Sequence, residues 1–306
     1  MRQIFRARPA GPSSTPPVAP PHTLLAADGT EISARHEPPD GLPDGASAAD
    51  LAFVVAHGFT GSGQRQGVRD AVAVLRLHGG VVTFDFRGHG RSGGESSLGK
   101  HEILDLDAAV RWAHRLGYRR VVTQGWSMGA AVAIRHGALL RGVDAVVSVS
   151  APSRWNYRGT RPMRAVHVGV GTPLGRWVIA RAYRTRVAAR GWEPPPEPPD
   201  AVVGRIAPIP LLLVHGADDH YFPTEHARWL ARAAGQPCEL WIEPGFRHAE
   251  GGAGPDLVER IATWAERAVS AAEGRAPADP PPRPDRLPGG LPSSPNRSHG
   301  PARMPR

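Results

Sequence analysis

From residue 51 to residue 272 the chain alternates short apolar runs with segments of helical periodicity, and this rhythm is the strongest constraint on its fold. The runs LAFVVAHG (51–58) and RVVTQGW (120–126) are largely apolar without alternation, as expected for strands covered on both faces. Between them, HEILDLDAAVRWAHRLG (101–117) repeats large apolar residues every three or four positions, which is typical of an amphipathic helix. The alternation predicts an α/β fold with a mostly parallel central sheet and helices on both faces.

The remaining elements follow from the same two periodicities. Further strands are expected at 81–86, 144–152, 208–216 and 238–245, with an early, edge-side strand near residue 30. Further helices are expected within 67–80 and at 128–140, 224–234 and 255–272.

The alternation is interrupted between two core strands by residues 153–207, which is far longer than the usual α/β loop of about 2–6 residues. Inside it, PLGRWVIARAYRTRVAAR (173–190) has apolar residues on one side and arginines on the other, which predicts a helical insert. Residues 1–21 and 274–306 are rich in Pro, Gly, Ser and Arg and poor in large apolar residues, so both tails are expected to be disordered. The predicted folded domain is 22–273.

The segment GWSMGA confines Ser127 to a corner between Gly125 and Gly129, after a predicted strand and before a predicted helix. A strand, Gly-x-Ser-x-Gly and a helix form a nucleophile elbow, in which the sharp turn lifts the serine hydroxyl out of the backbone. Because a serine hydroxyl is a weak nucleophile, it needs a base that is held by a third group. The motif alone is common, so the surrounding strand and helix carry most of the information.

Candidate partners for Ser127 follow two later strands. HGADDHYFP (215–223) offers Asp218 and Asp219 as orienting acids, and EPGFRHAE offers His248 as the base. Since the carboxyl ends of parallel strands meet at one side of a sheet, we expect these residues to lie near Ser127. Their order along the chain, Ser, Asp, His, is that of an α/β-hydrolase triad.

The segment HGFTGS (57–62) follows the first core strand and supplies the candidate oxyanion hole. The N–H groups of Phe59 and of Met128, the residue after the serine, are expected to bind the oxyanion of a tetrahedral intermediate. In the same motif, beside Gly58, we expect His57 to shape the loop by hydrogen bonding rather than to do chemistry.

HGFTGS, DFRGHGRSGG, GWSMGA, HGADDHYFP and GFRHAE together resemble, in family order, the motifs of the α/β-hydrolase superfamily over residues 24–272. The chain looks most like the branch of monoacylglycerol lipases, esterases and serine-aminopeptidase-like hydrolases. That branch usually carries H-G-x-x-D-x-x-x-P around its acid, so the resemblance selects Asp219 by its spacing to Pro223 and leaves Asp218 as the alternative. Arg247 is a departure, because the family often has a small residue before its histidine.

The resemblance implies that residues 153–207 cap the active site and that the protein is a serine hydrolase. The expected reaction is hydrolysis of a carboxylic ester through an acyl-enzyme, with no cofactor and no metal. Thioester hydrolysis, aminopeptidase activity, acyl transfer and a non-catalytic binding role on the same scaffold remain open. The lone Cys238 excludes an intrachain disulfide and argues against a cysteine-based metal site.

The net charge of +9 is unevenly distributed. Residues 153–192 contain nine arginines and no acid, both tails are basic, and the rest of the chain is acidic. This distribution argues against a nucleic-acid-binding face. A basic cap predicts instead an anionic substrate or a weak contact with an anionic membrane surface, unless its arginines pair with the acidic body.

Targeting signals are weak in this sequence. No apolar run reaches the roughly 18 residues of a membrane span, and the first 21 residues lack the apolar core of about 7–15 residues found in signal peptides. A cytoplasmic protein is the expectation, and its oligomeric state is open.

Overall fold

Eight strands form a single sheet in the computed structural model, which describes residues 20–41 and 50–273. In chain order they are β1 (His22–Leu25), β2 (Glu31–Glu37), β3 (Leu51–Ala56), β4 (Gly80–Phe84), β5 (Arg120–Trp126), β6 (Ala145–Val149), β7 (Leu211–Gly216) and β8 (Cys238–Glu243). Except for residues 20 and 21, the tails expected to be disordered lie outside the described residues.

The spatial order of the strands is β1-β2-β4-β3-β5-β6-β7-β8. The β1–β2 and β2–β4 pairs are antiparallel, and all other neighbouring pairs are parallel. The predicted α/β fold with a mostly parallel sheet is therefore confirmed. One detail differs, because β1 occupies the outer position and β2, the strand expected near residue 30, is second from the edge.

Eight helices accompany the sheet in the described residues. They are α1 (Gln66–Leu75), α2 (Glu102–Arg115), α3 (Met128–Leu139), α4 (Arg161–Gly171), α5 (Pro173–Tyr183), α6 (Pro199–Val202), α7 (Glu225–Ala233) and α8 (Pro255–Glu273). A short 3-10 turn, Val203–Ile206, follows α6.

The central strands separate two apolar cores, as β3 illustrates. Leu51, Phe53 and Val55 point into the core that α1 and α8 cover, whereas the alternate side chains enter the core that α2 and α3 cover. All six residues of β3 are buried, because a strand covered on both faces has no polar side. Burial on both faces makes the middle of the sheet a rigid base for the loops at its carboxyl end.

The insert between β6 and β7 contains α4, α5, α6 and the 3-10 turn. No residue of α4 is buried, and Ile179 is the buried residue of α5. The segment 173–190 was expected to be a helical insert, and its helix, α5, ends at Tyr183, where Arg184 takes a left-handed φ of 52°. The chain then pairs with the loop after β4, for example through Arg186 N–H, which donates to the Gly88 carbonyl at 2.7 Å. This pairing ties the insert to the body.

Candidate active site

A single residue, Ser127, separates β5 from α3. Its φ of 51° and ψ of −112° are unusual for a residue with a side chain, and such strain persists only where surrounding contacts hold it. Those contacts are present: the Ser127 N–H donates to the Val149 carbonyl at 2.9 Å, and its own carbonyl accepts from Ala130 and Ala131 at 3.1 Å. The backbone therefore fixes the direction of the Ser127 Cα–Cβ bond.

Close packing explains the two glycines of the elbow. A Cβ on Gly125 would lie 2.3 Å from the Gly129 carbonyl oxygen, and one on Gly129 would lie 2.2 Å from the Ala56 carbonyl oxygen. Both distances are shorter than real carbon contacts, and both partners are backbone atoms that have no room to move. The turn is thus pressed against the end of β3, which carries the neighbouring loop.

Hydrogen bonds connect Ser127 to His248 and His248 to Asp219. The Ser127 hydroxyl donates to His248 Nε2 at 3.0 Å, and His248 Nδ1–H donates to Asp219 Oδ2 at 2.7 Å. The Asp219 side chain is fully buried and that of His248 is 13% exposed. The structure thus brings together three residues from the ends of three parallel strands. In this arrangement a serine proton can pass to the imidazole while a carboxylate fixes the imidazole tautomer.

Asp219 is held as a carboxylate by its surroundings. Burial alone would raise its pKa, but the hydrogen bond and charge of His248, together with the Phe222 N–H, outweigh this effect and keep the pKa below its usual value. Its other oxygen, Oδ1, accepts from Tyr221 and Phe222 N–H at 2.8 and 3.0 Å. Asp219 is therefore ionised and fixed in position at neutral pH.

Asp218, the alternative acid, has a different environment. It is exposed, and its Oδ2 accepts from the Gly245 N–H at 3.1 Å, which ties together the loops after β7 and β8. The structure therefore places Asp219, and not Asp218, beside His248.

Ser150 and Tyr221, which the sequence did not indicate, support the loop of His248. The Ser150 Oγ accepts from the N–H of Ala249, which has a φ of 51°, at 3.2 Å. The Tyr221 ring lies 4.5 Å from the His248 imidazole, centroid to centroid. Ser150 follows β6 directly, so its position at the carboxyl end of the sheet was the available signal. Arg247, the departure from the family pattern, is exposed.

The loop after β3 lies against Ser127, and each of the two segments contributes an N–H group without a protein acceptor. A Cβ on Gly58 would lie 3.5 Å from Ser127 Cβ, so the loop passes close to the elbow. Within the described part of the chain, neither the Phe59 N–H nor the Met128 N–H donates to a protein acceptor. Met128 is also the first residue of α3, so the positive end of the helix dipole adds to this donor. Both N–H groups are thus available to an anionic oxygen.

Two neutral histidines support the loop after β3. His57 Nδ1–H donates to the Gly58 carbonyl at 2.7 Å, and its Nε2 accepts from Phe86 N–H at 3.0 Å. His89 Nε2 accepts from Thr60 N–H at 3.3 Å. Burial lowers the pKa of His57 to about 4, and burial together with the nearby His57 lowers that of His89 to about 4. Both imidazoles therefore stay neutral at physiological pH, and each ring donates from one nitrogen and accepts at the other.

A cleft of about 440 Å³ lies on another side of the same loop. Its lining includes Thr60, Arg65, Arg91 and, from the end of α5, Tyr183 and Arg184. Ser127, Asp219 and His248 do not line this basic cleft, so it is separate from the candidate site.

Other chemistry finds little support in the described residues. Among them, no cluster of three or more His, Cys, Asp or Glu side chains is arranged to bind a metal ion. Burial raises the pKa of the Cys238 thiol to about 11, so this cysteine is protonated at neutral pH. Within the described ranges, none of the helices combines the length and apolar character needed to cross a bilayer.

Comparison with known proteins links this geometry to one fold. Residues 52–166 match the family model of the alpha/beta hydrolase fold. A monoacylglycerol lipase of Mycolicibacterium smegmatis is 26% identical over 265 residues, which cover 74% of this chain and 89% of that protein. Among solved structures, the Pyrococcus furiosus esterase Pf2001 matches with a TM-score of 0.61 and 23% identity over 82% of this chain and 92% of its own. The alpha/beta hydrolase GrgF of Penicillium sp. sh18 matches with a TM-score of 0.62 and 17% identity, over 82% of this chain and 99% of its own.

Proposed function

The chain belongs to the α/β-hydrolase superfamily, and from this premise we propose that it is a serine hydrolase that cleaves carboxylic esters through an acyl-enzyme. The observation that carries the proposal is the pair of hydrogen bonds from Ser127 to His248 and from His248 to Asp219. The strained elbow adds support, because residues held at a sparsely populated φ and ψ cluster at active sites.

The proposed reaction uses groups of this chain and water. Ser127 Oγ attacks the ester carbonyl while His248 Nε2 takes its proton, and Asp219 stabilises the imidazolium that forms. The N–H groups of Phe59 and Met128 bind the oxyanion. His248 then gives its proton to the departing alkoxide, which leaves as an alcohol. A water molecule, deprotonated by His248, attacks the acyl-enzyme, and collapse of the second intermediate returns the proton to Ser127 and releases the acid.

The choice of an ester rests on the comparisons. The Mycolicibacterium smegmatis relative is named as a monoacylglycerol lipase, and the Pyrococcus furiosus structure as an esterase. Thioesterases, aminopeptidases and acyltransferases use the same kind of triad, so the products must distinguish them. Hydrolysis of p-nitrophenyl esters of increasing chain length should exceed that of aminoacyl anilides, and added alcohols or amines should not capture the acyl group in place of water.

Covalent labelling tests the nucleophile. A fluorophosphonate should label the wild-type protein, and mass spectrometry of its peptides should locate the adduct on Ser127. The matched control is Ser127→Ala, which should remain unlabelled. Labelling at another residue would refute Ser127 as the nucleophile. No labelling of a folded protein that also lacks ester turnover would refute the serine mechanism and favour a binding role for the scaffold.

A further inference from the structure

Exposed apolar side chains are concentrated on the cap hairpin, which consists of α4 and α5. Of the eight large apolar residues exposed in the described parts of the chain, five lie between positions 168 and 183. Leu174 and Trp177 are 71% and 61% exposed, and with Val178 they follow the spacing of one helix face. In a surface helix the apolar face normally turns towards the core. Here α5 turns these residues to solvent.

Most arginines of the cap have no carboxylate partner among the described residues. Of the nine arginines in residues 153–192, Arg154 alone forms an ion pair with a described carboxylate, that of Asp200 at 2.6 Å. Three others use their guanidinium groups to bond backbone carbonyls: Arg164, Arg176 and Arg186. The remaining five make no ion pair among the described residues: Arg158, Arg161, Arg181, Arg184 and Arg190. Among the described carboxylates, the alternative that these arginines pair with the acidic body is thus met by Arg154 only.

Charge and apolar surface are ordered along the hairpin. Arg161 and Arg164 lie at the beginning of α4 and are exposed, whereas Arg181 and Arg184 lie at the end of α5 and are also exposed. Four of the five exposed apolar residues lie between these arginines, nearer the turn that joins the helices, and Tyr183 lies at the end of α5. At the end of α5, Arg184 also lines the basic cleft with Arg65 and Arg91, so the positive surface continues onto the body.

We propose that the cap hairpin docks on an anionic phospholipid bilayer. Leu174, Trp177 and Val178 would lie at the level of the acyl chains and glycerol groups, with the arginines among the phosphates. A helix with Trp and Leu on one side and basic residues around them is typical of interfacial binding, and Trp is favoured at membrane interfaces. Most protein contacts to a nucleic acid are to its phosphates and sugars, so a contiguous Leu, Trp and Val surface beside arginines favours lipid. The proposal concerns binding and is independent of hydrolysis.

Vesicle flotation tests the docking. We use the Ser127→Ala protein, so that turnover plays no part, with phosphatidylcholine vesicles that contain or lack phosphatidylglycerol. We expect the protein to float with the anionic vesicles and not with the neutral ones. Binding should weaken as salt is raised, because exposed charges are screened over about 8 Å at physiological ionic strength.

Matched variants assign the binding surface. The triple change Arg161→Gln, Arg164→Gln, Arg181→Gln should weaken binding by about 100-fold, since each basic residue near an anionic surface contributes about 1 kcal/mol. The control removes three exposed arginines elsewhere, Arg115→Gln, Arg232→Gln and Arg267→Gln, and should retain binding. Leu174→Ser should weaken binding, whereas Leu77→Ser, at another exposed leucine, should not. All these side chains are exposed, so melting temperatures should stay close to that of the parent.

Three results would overturn the proposal. They are absence of flotation with anionic vesicles, equal losses in the cap and control triples, and undiminished binding in both cap variants. A kinetic experiment distinguishes a soluble anionic substrate from a lipid surface. If the cap triple lowers kcat/KM for a carboxylate-bearing ester but not for its neutral analogue, and neither protein binds vesicles, the arginines attract substrate and the membrane proposal is wrong.

Discussion

The carboxyl end of the sheet and the cap hairpin differ in how their polar and apolar groups are buried and paired. Around Ser127, carboxylates and imidazoles are buried and bonded to one another, as in the contacts among Asp219, His248 and the backbone of Phe222. On the hairpin, the arginines have no carboxylate partner within residues 20–41 and 50–273, and Trp177 and Leu174 face solvent. In the first region the charged side chains Asp219 and His248 have their partners within the protein, and the Phe59 and Met128 N–H groups are left for a ligand. The second region has the features of a surface that binds another body. Substitutions in the two regions should therefore be read out in different ways.

The largest expected effect is that of Ser127→Ala on ester turnover. A triad acts as a unit, so kcat should fall by about 10⁴-fold or more. Alanine also carries a Cβ and introduces no new strain at the positive φ, so the melting temperature should stay near that of wild type. Steady-state kinetics and thermal unfolding check both expectations. A variant that keeps more than about a tenth of the activity would remove Ser127 from the mechanism.

Next in size is the difference between the adjacent aspartates. Asp219→Asn should lower kcat by about 10³- to 10⁴-fold, because an amide does not stabilise the imidazolium and favours the wrong tautomer. Asp218→Asn should change it by only a few fold, since Asp218 bonds the Gly245 N–H and not the base. Kinetics of the two variants, measured side by side, give the ranking. The reverse ranking would place the acid one residue earlier.

One substitution made in both regions measures how differently they support the fold. Leu213→Ala, in the buried strand β7, should lower the free energy of unfolding by about 2–5 kcal/mol. Leu174→Ala on the hairpin should change it by less than about 0.5 kcal/mol. Denaturant titrations monitored by circular dichroism compare them. A large loss in the hairpin variant would mean that α5 is stabilised by packing and that the two regions do not differ in their support of the fold.

The last expected effect is a dependence of stability on pH that comes from His57. Burial lowers its pKa from the usual 6.5 to about 4, so the unfolded chain binds a proton that the folded one does not. Stability should therefore fall as pH drops from about 6.5 towards 4, by up to about 1.4 kcal/mol per pH unit for this residue. His57→Gln should be less stable at pH 7 but should show a shallower slope in this window.

His78 provides the opposite control. Although burial lowers its pKa, hydrogen bonds and charges from Glu259 and Glu266 raise it more, and the net result is a pKa above the usual value. Its contribution is complete below pH 6.5 and is lost as pH rises through the folded pKa. His78→Gln should therefore alter the slope above pH 6.5 and leave the acid window unchanged. Identical profiles for both variants would contradict the assignment of the acid slope to His57.

The regular part of the fold was accessible from the sequence. The strand expected at 120–126 coincides with β5, and the helix expected at 128–140 differs from α3 by one residue. Continuous apolar runs and 3.6-residue periodicity are strong signals when both faces of the sheet are covered. The candidate site residues could also be predicted from the sequence, because their motifs follow parallel strands whose carboxyl ends lie at the same edge of the sheet.

The elements that were missed have weaker signals. In β1 only Leu24 is buried, so four residues show no alternation. In α4 no residue is buried and two glycines lower the helix propensity, although Thr160 accepts from the Met163 N–H as an N-cap. Periodicity indicated an apolar side for α5 but not whether that side faces the core or the solvent. The contact between Ser150 and Ala249 joins distant segments, which no local pattern reports.

The near absence of buried residues in the cap hairpin has a consequence for how such a protein diversifies. Because α4 buries nothing and α5 buries Ile179 within their own spans, most substitutions there pass without a penalty in folding. The elbow has no such freedom, since its glycines are pressed against backbone atoms. Selection can therefore change the binding surface of the hairpin faster than the geometry around Ser127. Substitutions at about twenty surface positions could adapt the protein to a new habitat or substrate pool while the elbow keeps its position.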